Sequence, residues 1–94
     1  MRGYMQRFYF NLRTPQGRQV DRKGRHLRSA EAAFLEAYRA APLLAMEVVS
    51  QGGDINHYTF EVMNEAGQLV WDLSFHEALE RIFRLRRPDS PALG

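Results

Sequence analysis

Polar and apolar residues alternate at period two over residues 7–13, Arg-Phe-Tyr-Phe-Asn-Leu-Arg. Phe8, Phe10 and Leu12 fall on one side, and Arg7, Tyr9, Asn11 and Arg13 on the other. That pattern predicts a half-buried strand made of strong β-formers. Thr14-Pro15-Gln16-Gly17 reads as a turn, since Pro fixes φ and Gly accepts positive φ. A short second strand follows over about 18–21, with Val20 as its apolar anchor, and is expected at a sheet edge. Asp21-Arg22-Lys23-Gly24 is a second turn, after which Arg25-His26-Leu27 continues extended.

The period then lengthens. Ser29 is a good N-cap, and Glu31 sits in the first turn, where the helix dipole favours negative charge. The spacing predicts a helix from about Ala30 to Ser50, stopped by Gly52 and Gly53. Its expected core stripe is Ala30, Phe34, Ala37, Tyr38, Ala41, Ala45 and Val48. Pro42 lies inside this segment, and a kink or break is expected near 38–42 with a shift of phase beyond it. Leu35, Leu43, Met46 and Val49 fall away from the stripe. Either the C-terminal segment or a second subunit must cover them, so they are the candidate self-association residues.

Alternation returns over 57–64, with Tyr58, Phe60 and Val62 inward. Asn64-Glu65-Ala66-Gly67 suits a type I turn followed by a Gly bulge. Residues 68–75 form a fourth strand, with Leu69, Trp71, Leu73 and Phe75 expected inward. Ser74 and Glu77 make a capping box that opens a short helix from about His76 to Arg84, with Ala78, Leu79, Ile82 and Phe83 apolar. The fold class is α+β: a ββαββ antiparallel four-stranded sheet, in order 2-1-3-4, packed by one long Pro-kinked helix, with a short C-terminal helix. Residues 1–85 form one domain, and 86–94 a frayed, basic, Pro-containing tail.

Composition narrows the function classes. The chain has 94 residues, no Cys and a net charge of +2. A length of this kind suits one domain, and the lack of Cys removes disulfides and thiolate metal sites. No apolar run is long enough to span a bilayer, and the N-terminal stretch lacks a signal-peptide apolar core. A cytoplasmic location is expected.

Charge is distributed unevenly. Residues 1–28 carry eight Arg/Lys and one acid, residues 29–80 one Arg and nine acids, and residues 81–94 four Arg and one acid. One reading is internal complementarity between neighbouring elements. The other is a basic face for nucleic acid, built from Arg18, Arg22, Lys23, Arg25 and Arg28 together with Arg7, Tyr9 and Arg13. The competing account of the same cluster is an edge strand shielded from aggregation by charge.

No catalytic constellation emerges. His26, His57 and His76 lie in three different segments with no metal-ligand spacing. Ser29, Ser50, Ser74 and Ser90 are explained as caps or termini, and no nucleophile elbow is present. Glu61 and Glu65, like Glu77 and Glu80, read as solvated faces. The expectation is a non-enzyme without cofactor or metal.

The order of these pieces resembles a family of short bacterial proteins known only as a domain of unknown function. The opening strand Arg7–Arg13, the turn Asp21–Gly24 with Leu27 and the helix start Ala30–Ala37 carry the likeness. So do Phe60–Gly67 and Leu73–Leu79. In that family the turn resembles Asp followed by acids before Gly, whereas Arg22 and Lys23 stand here. Pro42 and the longer, more basic tail are further departures. The resemblance implies a fold and no activity. A looser topological likeness to antitoxin-type domains supports the alternative of a nucleic-acid-binding regulator using Arg18–Arg28. The first reading is a small non-catalytic interaction domain that forms a homodimer.

Overall fold

The structure is a computed structural model that describes residues 5–86, with side chains described as far as Glu80. Strand β1 (Gln6–Thr14) is followed by β2 (Gly17–Gln19), β3 (Arg25–Leu27) and helix α1 (Ala30–Ser50). A 3-10 turn (Ile55–His57), strands β4 (Thr59–Met63) and β5 (Leu69–Ser74) and helix α2 (Phe75–Arg86) complete it.

The sheet is antiparallel, with order β2-β1-β4-β5. This is the expected α+β class and the expected strand order. A fifth short strand corrects the strand count: β3 also pairs with β1, placing Arg7 opposite His26 and Phe8 opposite Arg25. β2 and β3 therefore share one edge of β1, with β2 at its C-terminal end and β3 at its N-terminal end.

Phe8, Phe60, Val62, Leu73 and Phe75 form the large-residue part of the core, each at most 6% exposed. Burying each such side chain contributes roughly 1.5–3 kcal/mol before entropy is counted. Phe75 lies 5.5 Å from Phe60 and 5.6 Å from Tyr58, ring centre to ring centre. Helix α1 covers this face with alanine. Ala33, Ala37, Ala41 and Ala45 are each at most 1% exposed. Small side chains at four-residue spacing let the helix backbone lie close to the sheet. Phe34, Tyr38, Leu44 and Val48 flank the alanines. The expected stripe thus omitted Ala33, one of its deepest members.

Helix α1 runs unbroken through Pro42. The alanine line keeps its four-residue step on both sides of that residue, so the expected break and phase shift do not occur. At the start, the Ser29 hydroxyl accepts the Ala32 N–H at 3.1 Å. At the end, the Gly53 N–H bonds to the Val48 carbonyl at 2.8 Å and the Gly52 N–H to the Val49 carbonyl at 2.9 Å, with Gly52 at φ +83. These two bonds make a Schellman cap.

Two expected strand residues lie elsewhere. Val20 is 57% exposed and follows β2 rather than anchoring it. Leu69 is 52% exposed, because the register shifts between Val62–Trp71 and Met63–Leu69. The extra residue, Val70, is a bulge that reverses the facing of everything before it. Phe75 opens α2 rather than ending β5, while the Ser74 hydroxyl caps α2 through the Glu77 N–H at 3.0 Å. The side chains of Ile82 and Phe83, and the tail beyond Arg86, lie outside the described residues.

Candidate interaction surfaces

The outer face of α1 is the first candidate. Leu35, Leu43, Met46 and Val49 are exposed by 50%, 71%, 67% and 56%. The helix that buries its alanines against the sheet therefore presents four large apolar side chains to solvent. Helix α2 packs beside α1, and these four side chains remain at least half exposed. A groove of about 270 Å3 lies between the two helices, lined by Ala45, Met46, Val49, Ser50 and Leu79.

The outer face of the sheet is the second. Directly opposed residues of antiparallel strands share a face. Arg13 opposite Arg18, and Asn11 opposite Glu61 opposite Asp72, therefore lie together there. Glu61 is only 8% exposed, which corrects its reading as a solvated residue. Its carboxylate accepts the Arg18 Nε–H at 2.8 Å and lies 3.3 Å from Arg13 Nη2. Alternation placed it on the outer face, but only the tertiary pairing brings two arginines over it. Arg25 pairs with Glu36 at 2.7 Å. Of the eight residues expected to form a basic face, Arg13, Arg18 and Arg25 are thus engaged by acids. Among the described residues, Arg7, Arg22, Lys23 and Arg28 have no carboxylate partner.

The Asp21–Gly24 turn binds these pieces together. β1 pairs with β3 through Phe8 and with β2 from Leu12 onward, which leaves a gap between them. The Asp21 carboxylate enters that gap and accepts the Phe10 N–H at 3.0 Å. Its other oxygen accepts the N–H groups of Lys23 and Gly24, each at 3.1 Å. In return, Asn11 Oδ1 accepts the Asp21 N–H at 2.9 Å. Burial pushes the Asp21 carboxyl upward, but these N–H groups and the charge of Arg25 outweigh it and hold the group below its ordinary 3.8. Gly24 sits at φ +69, where a Cβ would come 2.9 Å from the Phe8 carbonyl oxygen and 3.0 Å from Tyr9 Cε2. The Arg7 guanidinium donates to the Lys23 carbonyl. Sequence reasoning placed the turn but missed the strand-filling role of its acid.

The histidines stay apart. His57 is 3.7 Å from Asp54 and His76 4.0 Å from Glu80, while His26 lies exposed on β3. Among the described residues, no three His, Asp or Glu side chains come together to hold a metal ion. An open groove of about 380 Å3 runs past Tyr9, Asn11, Asp21, Met63, Asn64 and Glu65. No helix among the described residues is long and apolar enough to cross a membrane.

A family model described as Domain of unknown function (DUF6894) matches residues 7–76. The chain belongs to this family. The DUF6894 match runs from β1 through the first residues of α2, so it takes in the Asp21 turn, the whole of α1 and both later strands. No curated protein and no solved structure matches the chain.

Proposed function

We propose that this chain is a non-catalytic interaction domain that associates with a second copy of itself through the exposed face of α1. The observation that carries the reading is the exposure of Leu35, Leu43, Met46 and Val49, each at least half accessible, on a helix already anchored by its opposite side. Apolar side chains gathered on one face lose contact with water when a partner covers them. The dispersed histidines and the carboxylates engaged by backbone or arginine support a role without catalysis. The cysteine-free sequence fits a cytoplasmic setting.

Sedimentation velocity over a micromolar concentration series tests the reading. The expected result is a concentration-dependent shift to twice the chain mass, abolished by Leu43→Asp. A single monomeric species at every concentration overturns it.

A second reading, a nucleic-acid-binding regulator, draws on one observation. Arg7, Arg22 and Lys23 lack acid partners among the described residues and stand at a turn that lies against the Tyr9 ring, and Arg28, just past β3, lacks one as well. Charge along a backbone with a ring for stacking suits single strands. Anisotropy of labelled oligonucleotides at low salt tests it. Each phosphate neutralised adds about −0.7 to −0.9 to the log–log salt slope, and no binding at low salt removes the reading.

A further inference from the structure

The outer face of the sheet carries an apolar row as well as charges. Tyr9 stands directly opposite Met63, and Met63 opposite Leu69. Directly opposed residues share a face, so ring, thioether and leucine side chain lie side by side, on the face away from α1. Tyr9 and Met63 are half-buried, and Leu69 is 52% exposed. Along this row runs the open groove of about 380 Å3, where the exposed Val20 joins Tyr9 and Met63 in the lining. Its size falls in the range of small-ligand clefts, roughly 300–1,000 Å3.

Charge divides this surface in two. The Tyr9 ring and the Arg7 stem both close on the Asp21–Gly24 turn: a Cβ at Gly24 would come 2.8 Å from Arg7 Cγ and 3.0 Å from Tyr9 Cε2. The Arg7 guanidinium donates to the Lys23 carbonyl, a neutral partner that leaves its charge uncompensated. Arg22 and Lys23 are exposed in the same turn, and none of the three has a carboxylate partner among the described residues. The groove holds the opposite sign, with Asp21 and Glu65 in its lining. An anion is therefore drawn to the turn and repelled by the groove, whereas an uncharged planar group meets no such barrier. Asn11 adds a donor beside the row. Its Oδ1 accepts the Asp21 N–H, which fixes the orientation of the amide, and its Nδ2 group has no partner among the described residues.

We infer that this groove takes one base of a single-stranded nucleic acid, stacked on Tyr9, while the adjoining phosphates lie over Arg7, Arg22 and Lys23. The inference rests on the nucleic-acid reading above and adds where the base sits. A nucleotide has the same division as this surface, a neutral ring joined to an anion. A simple polyanion has only the second part. Stacking on Tyr9 is tolerant of sequence, because every base has a π-face.

Anisotropy of two labelled strands of about eight nucleotides, titrated with the full-length chain at low salt, tests the site. One strand bears its bases and the other, of equal length and charge, is abasic. The base-bearing strand is expected to bind about tenfold more tightly. Both are expected to share one salt slope, about −2 for three cations, because their phosphates are the same. Tyr9→Ala is expected to bring the base-bearing strand down to the abasic level, and Tyr9→Phe, which keeps the ring, to retain the difference. Far-UV circular dichroism of each variant checks that the fold is kept. Equal affinity of wild type for the two strands, or a difference that Tyr9→Ala leaves intact, overturns the base site and leaves the nucleic-acid reading standing. No binding of either strand at low salt overturns both.

Discussion

The carboxylate of Asp21 takes the backbone N–H of Phe10 at 3.0 Å, between two short strands that share one edge of β1. A side chain thereby supplies the acceptor that a continuous neighbouring strand would have supplied. Three backbone N–H groups converge on this one carboxylate. Asp21→Ala should lower stability by about 1–3 kcal/mol. Urea unfolding should give a lower midpoint with an unchanged slope. Asp21→Asn, which keeps an acceptor oxygen without the charge, should fall between the two.

The same group predicts a pH dependence. Its folded value lies below the ordinary 3.8. Its contribution is therefore complete above 3.8 and is lost as pH falls from there through the depressed value. Wild type and Asp21→Asn should converge in unfolding midpoint as the buffer is taken down through that acid range. A constant gap between them would contradict the assignment.

Gly24→Ala is expected to be costly for two reasons. The backbone there is left-handed, at φ +69, and the added carbon meets the Phe8 carbonyl oxygen at 2.9 Å. A loss of about 1–3 kcal/mol is expected. Gly52→Ala shares the unfavourable φ of +83 but meets nothing within 4 Å, so it should cost less. Thermal melting of the two variants side by side checks the order.

Ala37→Leu should be destabilising although it adds apolar surface. Ala37 is 1% exposed and lies between α1 and the sheet, so three extra carbons must push the layers apart. The expected loss is about 1–3 kcal/mol. Leu43→Ala, at 71% exposure, should leave monomer stability almost unchanged. Denaturant midpoints at low protein concentration distinguish the two.

Glu61→Gln separates the two functional readings. The substitution removes the charge that engages Arg13 and Arg18, whose side chains are 52% and 53% exposed. Stability should change by about 1 kcal/mol or less, as for partly exposed pairs. Self-association through α1 should not move. An oligonucleotide-binding sheet face would bind more tightly, with a steeper salt slope, because two cations are released to it.

Most of the architecture was legible because alternation, caps and glycines act locally. The residues 7–13 expected to be extended lie inside β1, and Ser29 and Gly52 bound α1 as their chemistry requires. The exposed quartet on α1 was equally legible, since it follows from helical geometry alone. What escaped depends on contacts made across the fold. β3 has three residues and one partly buried side chain, Leu27, too few to display a period. Glu61 is buried by arginines that arrive from β1 and β2. Asp21 looks like any turn acid until the gap beside Phe10 is seen. Pro42 looked like a break, yet alanines held on both sides of it keep the helix continuous.

The extra residue at Val70 reaches beyond the facing of Leu69. β5 is the last strand on its side of the sheet, and its outward ladder carries the same irregular spacing. An incoming extended chain finds no even row of donors and acceptors to copy, so templated fibril growth is disfavoured on that flank. Deleting Val70 would restore an even row, and faster seeded fibril formation by that variant is the expected sign.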